Sequence, residues 1–377
     1  MREQAKKRLM PVFWAIHRAL PKQEVAVLRG LPDYEDNVLA LEEGLRATQV
    51  KKTVMLVDSL ATPRPNGLGP RTLVLDRGSV RGLFYFLTAR YVFFTHSAYT
   101  LRFPPDVTSV YVAHGVPVKR VGWMTDAGPL VPLVKYALAT SPLWVEIVQE
   151  SFRPLVGTLL TGLPRNDRLF LSDGNIPERL GYAPESCRKL IVWLPTFRSA
   201  RDGRTGGLRR THSLGVPTES LDEINGLLES HQAVCVVKPH PLALHEDPPQ
   251  LSHLRFITDD WLHEQRLTLY QLLGTSDALI SDVSSVYVDY LILDRPIVHH
   301  FPDIREYDAA RGYSLAPIED YLAGPLTRDS NELLDALSAI LEGTDSHAGV
   351  RRRLRSLFHT YTDGESTGRL LRQVGLG

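Results

Sequence analysis

Two cysteines, Cys187 and Cys235, are all the thiol chemistry that 377 residues offer. Two thiols exclude a disulfide framework and a cysteine-built zinc cage, and they fit a reducing cytosol. Cys235 lies in the apolar run AVCVV and reads as a small buried hydrophobe. Net charge is missing too, because 43 Lys and Arg balance 43 Asp and Glu. That balance reads against a nucleic-acid binder. No apolar run approaches the ~18–20 residues needed to span a bilayer. The basic start lacks a clean apolar core and a small-residue cleavage site, so it does not read as a secretory leader. No Asp-x-Asp pair occurs, so no dedicated metal site or other cofactor is evident. Tandem repeats and low-complexity tracts are absent.

What is present is length and alternation. A chain of 377 residues exceeds one ordinary core and predicts two domains. From residue 25 onward, short apolar runs (EVAVLRG, KTVMLVD, RTLVLD, SVYVAHG) alternate with helical stretches such as DNVLALEEGLRA. After residue 188 the style repeats with KLIVWLPTF, AVCVVKPHP, DALISD and RPIVHHF. Strands alternating with helices predict parallel sheets flanked by helices, an α/β architecture. The segment PLVKYALATSPLWVEIVQESF reads as helical in part. Glycine and proline cluster in residues 172–187 and mark the interdomain boundary. The expected organisation is therefore residues 1–22, 23–172, 173–352 and 353–377. Residues 1–22 carry Arg2, Lys6, Lys7, Arg8, Arg18 and Lys22 against Glu3 alone, interleaved with Leu9, Val12, Phe13, Trp14, Ile16 and Leu20. Such a segment can lie on an anionic membrane or pack as an ordinary first helix.

Six stretches carry candidate chemistry. In YVAHGVPVKR, His114 stands where a strand gives way to a Gly-Pro turn, followed by Lys119 and Arg120. Histidine is the side chain best suited to taking a proton near neutral pH, though it also caps turns. In VVKPHPLA, a strand delivers Lys238 and His240 into a proline-stiffened loop, a place that suits a diphosphate or is a plain surface loop. In ALISDVSSVYVDY, Ser281, Asp282, Ser284 and Ser285 occupy the entry to a helix. Free N–H groups there bind phosphate, and the same pattern is an ordinary N-cap. Arg165, Asn166 and Asp167 follow a Gly-Leu-Pro turn, and Arg311-Gly312 ends an acidic-aromatic run. Arg198 opens RSARDGRTGGLRRTHSLG, an arginine- and glycine-rich loop able to meet a polyanion.

Together these motifs resemble the CDP-glycerol glycerophosphotransferase family, which includes teichoic acid primases and polymerases. The family pattern stands here as HGVPVK, GLPRND, LPTFR, KPHP, SDVSS, RG, AGP and DG, across residues 111–364. Val116 replaces the usual threonine, Val118 a leucine and Ala323 a proline. The resemblance implies a GT-B-like fold of two Rossmann-type domains facing a central cleft, with the nucleotide in the second. It implies a last helix, GRLLRQV, that crosses back to the first. It also implies transfer of polyol phosphate from a CDP-polyol to a lipid-linked acceptor, releasing CMP, at the cytoplasmic face of a bacterial membrane. His114 and His240 would then be catalytic. Lys238, Ser281, Asp282, Ser284, Ser285, Arg311 and Gly312 would hold the donor. Lys119, Arg120, Arg165, Asn166, Asp167 and Arg198 would meet the acceptor or phosphate. A nucleotide-sugar glycosyltransferase of the same fold, or a non-catalytic membrane-surface protein, remains an alternative reading.

Overall fold

The continuous apolar runs fold as parallel strands. The computed structural model describes residues 2–377 except 97, 100–101, 126–133, 153–156, 172–174, 196–213 and 240–248. The chain divides into two units: residues 1–117, 121–168 and 359–377 form the first, and 118–120 with 169–358 the second.

The first unit holds β1 (Gln23–Arg29), β2 (Lys52–Val57), β3 (Thr72–Asp76), β4 (Ala89–Phe94), β5 (Thr108–Tyr111), β6 (Tyr136–Ala139) and β7 (Gly157–Leu160). They lie in the order β3-β2-β1-β4-β5-β6-β7, every pairing parallel. Its helices are α1 (Arg2–Ala19), α2 (Asp36–Leu45), α3 (Val80–Thr88) and α4 (Pro142–Phe152). Parallel strands are covered on both faces, which is why β1 and β2 are apolar without alternation. One face packs Val38, Leu41 and Leu45 of α2 with Leu370 and Leu371 from the chain's end. The other packs Phe86 of α3 and Val148 and Phe152 of α4, with Phe13 of α1 against them. Part of PLVKYALATSPLWVEIVQESF is thus a strand, β6, ahead of α4.

The second unit holds β8 (Lys189–Leu194), β9 (Ala233–Val237), β10 (Leu254–Phe256), β11 (Ala278–Ser281), β12 (Ile297–His300) and β13 (Leu326–Thr327). Their order is β10-β9-β8-β11-β12-β13, again parallel throughout. The helices, in chain order, are α5 (Ile176–Arg179), α6 (Glu219–Ser230), α7 (Asp259–Glu264), α8 (Leu269–Thr275), α9 (Ser285–Tyr290), α10 (Ile304–Arg311), α11 (Ser330–Leu341) and α12 (Ala348–Phe358). The terminal helix α13 (Ser366–Gln373) belongs to the first unit. The core here is built from Ile191, Trp193, Cys235, Val237 and Ile280 on strands, with Ile224, Leu228, Leu333 and Leu337 on α6 and α11.

Both strand orders contain a switch point, where successive connections leave in opposite directions. In open parallel sheets ligands bind beyond the strand ends at such points. In the first unit the switch lies between β1 and β4, and in the second between β8 and β11.

Candidate functional site

In the first unit the chain leaves β5 through an irregular turn. Ala113 takes φ 62° and Gly115 φ 129°. A left-handed alanine costs roughly 1–2 kcal/mol, so other contacts must hold it. They come from a network beneath the turn. Arg165 donates Nη1 to the His114 carbonyl at 2.5 Å, and its own N–H donates to Asn37 Oδ1 at 3.1 Å. Asn37 Nδ2 donates to the Ala113 carbonyl at 3.4 Å and to Glu35 Oε2 at 3.1 Å. Glu35 in turn caps α2, accepting from the backbone N–H of Asn37 at 3.2 Å and of Val38 at 3.1 Å. Asn37 is fully buried. It joins the loop after β1, the turn after β5 and the Pro164–Phe170 turn after β7.

This setting fixes the state of the histidine. His114 is itself exposed, and the His96 ring, after β4, lies 5.6 Å from it. Crowding that desolvates the ring comes first, and Arg165, His96 and Arg29 push the same way, lowering its pKa from 6.5 to about 4. His114 is therefore an unprotonated base at neutral pH. Glu35 is shifted oppositely, up to about 7, first by desolvation, against the pull of Arg165. Arg29 at the end of β1 is buried and pairs with Asp33 at 3.4 Å and with Asp58.

The Arg165-Asn166-Asp167 stretch is buried scaffold. Arg165 and Asn166 are almost wholly enclosed. Asp167 accepts from the Ser366 and Thr367 N–H groups at 2.8 Å each, fastening the start of α13. Gly162 before it has φ 81°, and a Cβ there would meet Ser366 Oγ at 2.4 Å, so only glycine fits.

In the second unit, Ser281 and Asp282 end β11 at the switch point and are buried. Ser281 Oγ donates to the Leu194 carbonyl of β8 at 3.4 Å. Ser284 is the N-cap of α9, its hydroxyl accepting from the Val286 N–H, with Ser285 the first helical residue. Lys238 follows β9 and pairs with Asp259 at 2.9 Å. Lys119, Arg120, Arg311 and Gly312 are brought together. Lys119 bridges Tyr313 and lies 4.8 Å from the Tyr307 ring. The Arg120 N–H donates to the Gly312 carbonyl at 3.2 Å, and Arg120 Nε to the Tyr313 carbonyl at 3.2 Å. Arg311 Nη1 reaches Tyr307 Oη at 3.4 Å. His240 and Arg198 lie outside the described residues. Among the described residues no cluster of three or more His, Cys, Asp or Glu could hold a metal ion.

Val116, Val118 and Ala323, the departures from the family pattern, are all buried. At 116 the hydroxyl of a threonine would be enclosed, not presented to solvent. Sequence reasoning passed over Glu35, Asn37, His96 and Arg29, because nothing local marks them.

The family model "CDP-Glycerol:Poly(glycerophosphate) glycerophosphotransferase" matches residues 12–376. The teichoic acid ribitol-phosphate primase of Bacillus spizizenii is 26% identical over 266 residues, 67% of this chain but 62% of that protein. The chain thus spans less than two-thirds of that relative's length. The teichoic acid poly(glycerol phosphate) polymerase of the same organism is 28% identical over 286 residues, 70% of this chain and 69% of that one. Among solved structures, that of the wall teichoic acid polymerase TagF superposes with a TM-score of 0.75 at 18% identity. It covers 98% of this chain and 93% of that one, which establishes the GT-B-like fold class.

Proposed function

The chain belongs to the CDP-glycerol:poly(glycerophosphate) glycerophosphotransferase family, and on that premise we propose that it transfers a polyol phosphate, glycerol phosphate first of all, from a CDP-polyol to a hydroxyl of a lipid-linked acceptor in teichoic-acid-type polymer synthesis. The acceptor oxygen attacks the phosphorus that bears the polyol. The new P–O bond forms as the bond to the bridging oxygen breaks, and CMP leaves with that oxygen. The hydroxyl proton goes to His114.

The observation that carries this reading is the state of His114. Desolvation of the ring, with Arg165, His96 and Arg29 beside it, holds the imidazole neutral, with a pKa of about 4. A base that starts unprotonated needs no prior proton loss. An incoming diphosphate offsets the local positive charge and raises its proton affinity as the reaction proceeds. General-base assistance of this kind supplies ~10²–10⁴-fold. Lys238, His240, Ser281, Ser284, Ser285, Arg311 and Gly312 serve the diphosphate and its developing charge. Asp282, a poor neighbour for bare phosphate, serves a donor hydroxyl. Arg198, Lys119 and Arg120 steer the anionic acceptor, while Arg165, Asn166 and Asp167 act through the scaffold they build.

The same reading places the protein peripherally on the inner face of a bacterial membrane. No described helix is long and apolar enough to cross a bilayer. Helix α1 packs His17 against Phe86 of α3, with ring centroids 5.5 Å apart. Val12 and Ile16 on α1 and Val80 and Phe84 on α3 stay exposed, each pair one turn apart. Trp14 lies between Arg18 and Arg102, at 5.3 and 5.0 Å. Exposed apolar side chains beside arginines suit an anionic lipid surface.

The test is a donor panel. Incubation with a lipid-linked acceptor and CDP-glycerol, CDP-ribitol or UDP-sugars should release CMP from a CDP-polyol and add one polyol phosphate to the product mass. Release of UDP with a glycosylated product would instead establish the glycosyltransferase reading. Nucleotide binding without turnover would establish a non-catalytic role.

A further inference from the structure

The second histidine-bearing strand end, at β12, does work that the motifs leave unassigned. His299 is fully buried, and the adjoining turn residue Asp282 is nearly so. The Ala323 N–H donates to His299 Nε2 at 3.0 Å. An imidazole nitrogen that accepts carries no proton, so the proton of the neutral ring is on Nδ1. Nδ1 lies 3.4 Å from the Asp282 carbonyl and donates to it. Burial pushes the His299 pKa down to about 4, so the ring is neutral at physiological pH and keeps this one-donor, one-acceptor state. The ring is also held edge-on to Tyr287 of α9, centroids 4.9 Å apart. Its own backbone N–H donates to the Pro325 carbonyl at 2.9 Å.

The donor to Nε2 requires that residue 323 carry an N–H. Proline has no N–H and could not make this bond. Gly324 keeps the segment close: a Cβ there would stand 1.7 Å from the Ile297 carbonyl oxygen of β12. Ala323, His299 and Asp282 thus form one chain of hydrogen bonds, from the Ala323-Gly324 turn through β12 to the loop after β11.

We infer that His299 is a positioning residue for the Asp282–Ser285 turn, reading the Ala323 N–H on one side and orienting the Asp282 peptide on the other. In a trans peptide the C=O and the following N–H point in opposite directions. Drawing the Asp282 carbonyl toward β12 turns the Val283 N–H away from it and sets the entry of α9. As a role in catalysis this rests on the proposal that the turn serves the donor diphosphate. The hydrogen-bond chain itself does not.

The test separates the two ring nitrogens. His299→Asn places an amide N–H near Nδ1 and keeps the bond to Asp282. His299→Gln reaches toward Nε2 and keeps only the Ala323 side. Amide hydrogen exchange over residues 278–290, without ligand, should be faster in His299→Gln than in His299→Asn. Nitrogen-detected NMR of the unaltered protein should show the Nδ1–H tautomer for this ring. With donor, KM for CDP-glycerol should rise roughly tenfold more in His299→Gln than in His299→Asn, the size of one lost hydrogen bond. Equal exchange in the two amide variants, or an Nε2–H tautomer, would overturn the inference whatever the donor proves to be. If the exchange and NMR results hold but the unaltered protein releases no CMP, the proposed function fails and the positioning role stands.

Discussion

Replacing Asn37 by alanine tests how the base is held. The side chain is fully buried and touches three loops at once. Its loss strips the Arg165 N–H of the acceptor at 3.1 Å and the Ala113 carbonyl of the donor at 3.4 Å. A buried polar group left without a partner costs ~1–3 kcal/mol, so two give roughly 2–6 kcal/mol. The Ala113 conformation at φ 62° also loses one of its restraints. With the turn loosened, His114 shifts relative to its substrate, and small misplacements of this kind cost about 10²-fold in rate. Urea unfolding should show a lower midpoint at unchanged slope, and CMP release should fall by about that factor, with nucleotide affinity little altered. A variant within about 0.5 kcal/mol of the unaltered protein, turning over at its rate, would refute the network as the support of the base.

Other outcomes follow from the same structure. His17 is fully buried, neither ring nitrogen has a hydrogen-bond partner among the described residues, and desolvation followed by Lys22 lowers its pKa from 6.5 to about 4. The unfolded chain therefore binds the extra proton between those values. Stability from this group is complete above pH 6.5 and falls as pH drops toward about 4, by about 3 kcal/mol. His17→Leu should flatten that part of the stability profile, and an unchanged profile would count against it. Glu35, raised from 4.5 to about 7, works in the opposite sense, its contribution being lost as pH rises across that window. Gly324→Ala should lower stability by roughly 3 kcal/mol or prevent folding, because its Cβ would collide with the Ile297 backbone. Sedimentation with anionic vesicles should weaken in Val12→Glu with Ile16→Glu and in high salt. Equal binding to neutral vesicles would argue against the charged surface.

The two α/β units were legible because parallel strands, buried on both faces, read as unbroken apolar runs, as AVCVV does for β9. Strand β6 was not. YALA is four residues long and runs directly into Thr140, Ser141 and the helix that Pro142 opens, so it merged with that helix in the reading. At the site, the visible part was what clusters in sequence, His114 with its turn and the Ser281–Ser285 stretch. Ser284 also does what the ordinary N-cap reading expected. Asn37 was invisible because its partners on the other loops lie 76 and 128 residues away. Lys119 and Arg120 read from sequence as cations to steer an anionic acceptor or pack the turn. In the fold both lie against the Tyr307–Tyr313 segment, a pairing that only tertiary structure creates.

The most direct test of the account is His114→Ala, assayed for CMP release from CDP-glycerol with a lipid-linked acceptor and, in parallel, for nucleotide affinity by calorimetry. The account predicts turnover lost by at least ~10²-fold, as expected for a missing general base, with affinity nearly intact. Turnover at the unaltered rate would contradict it.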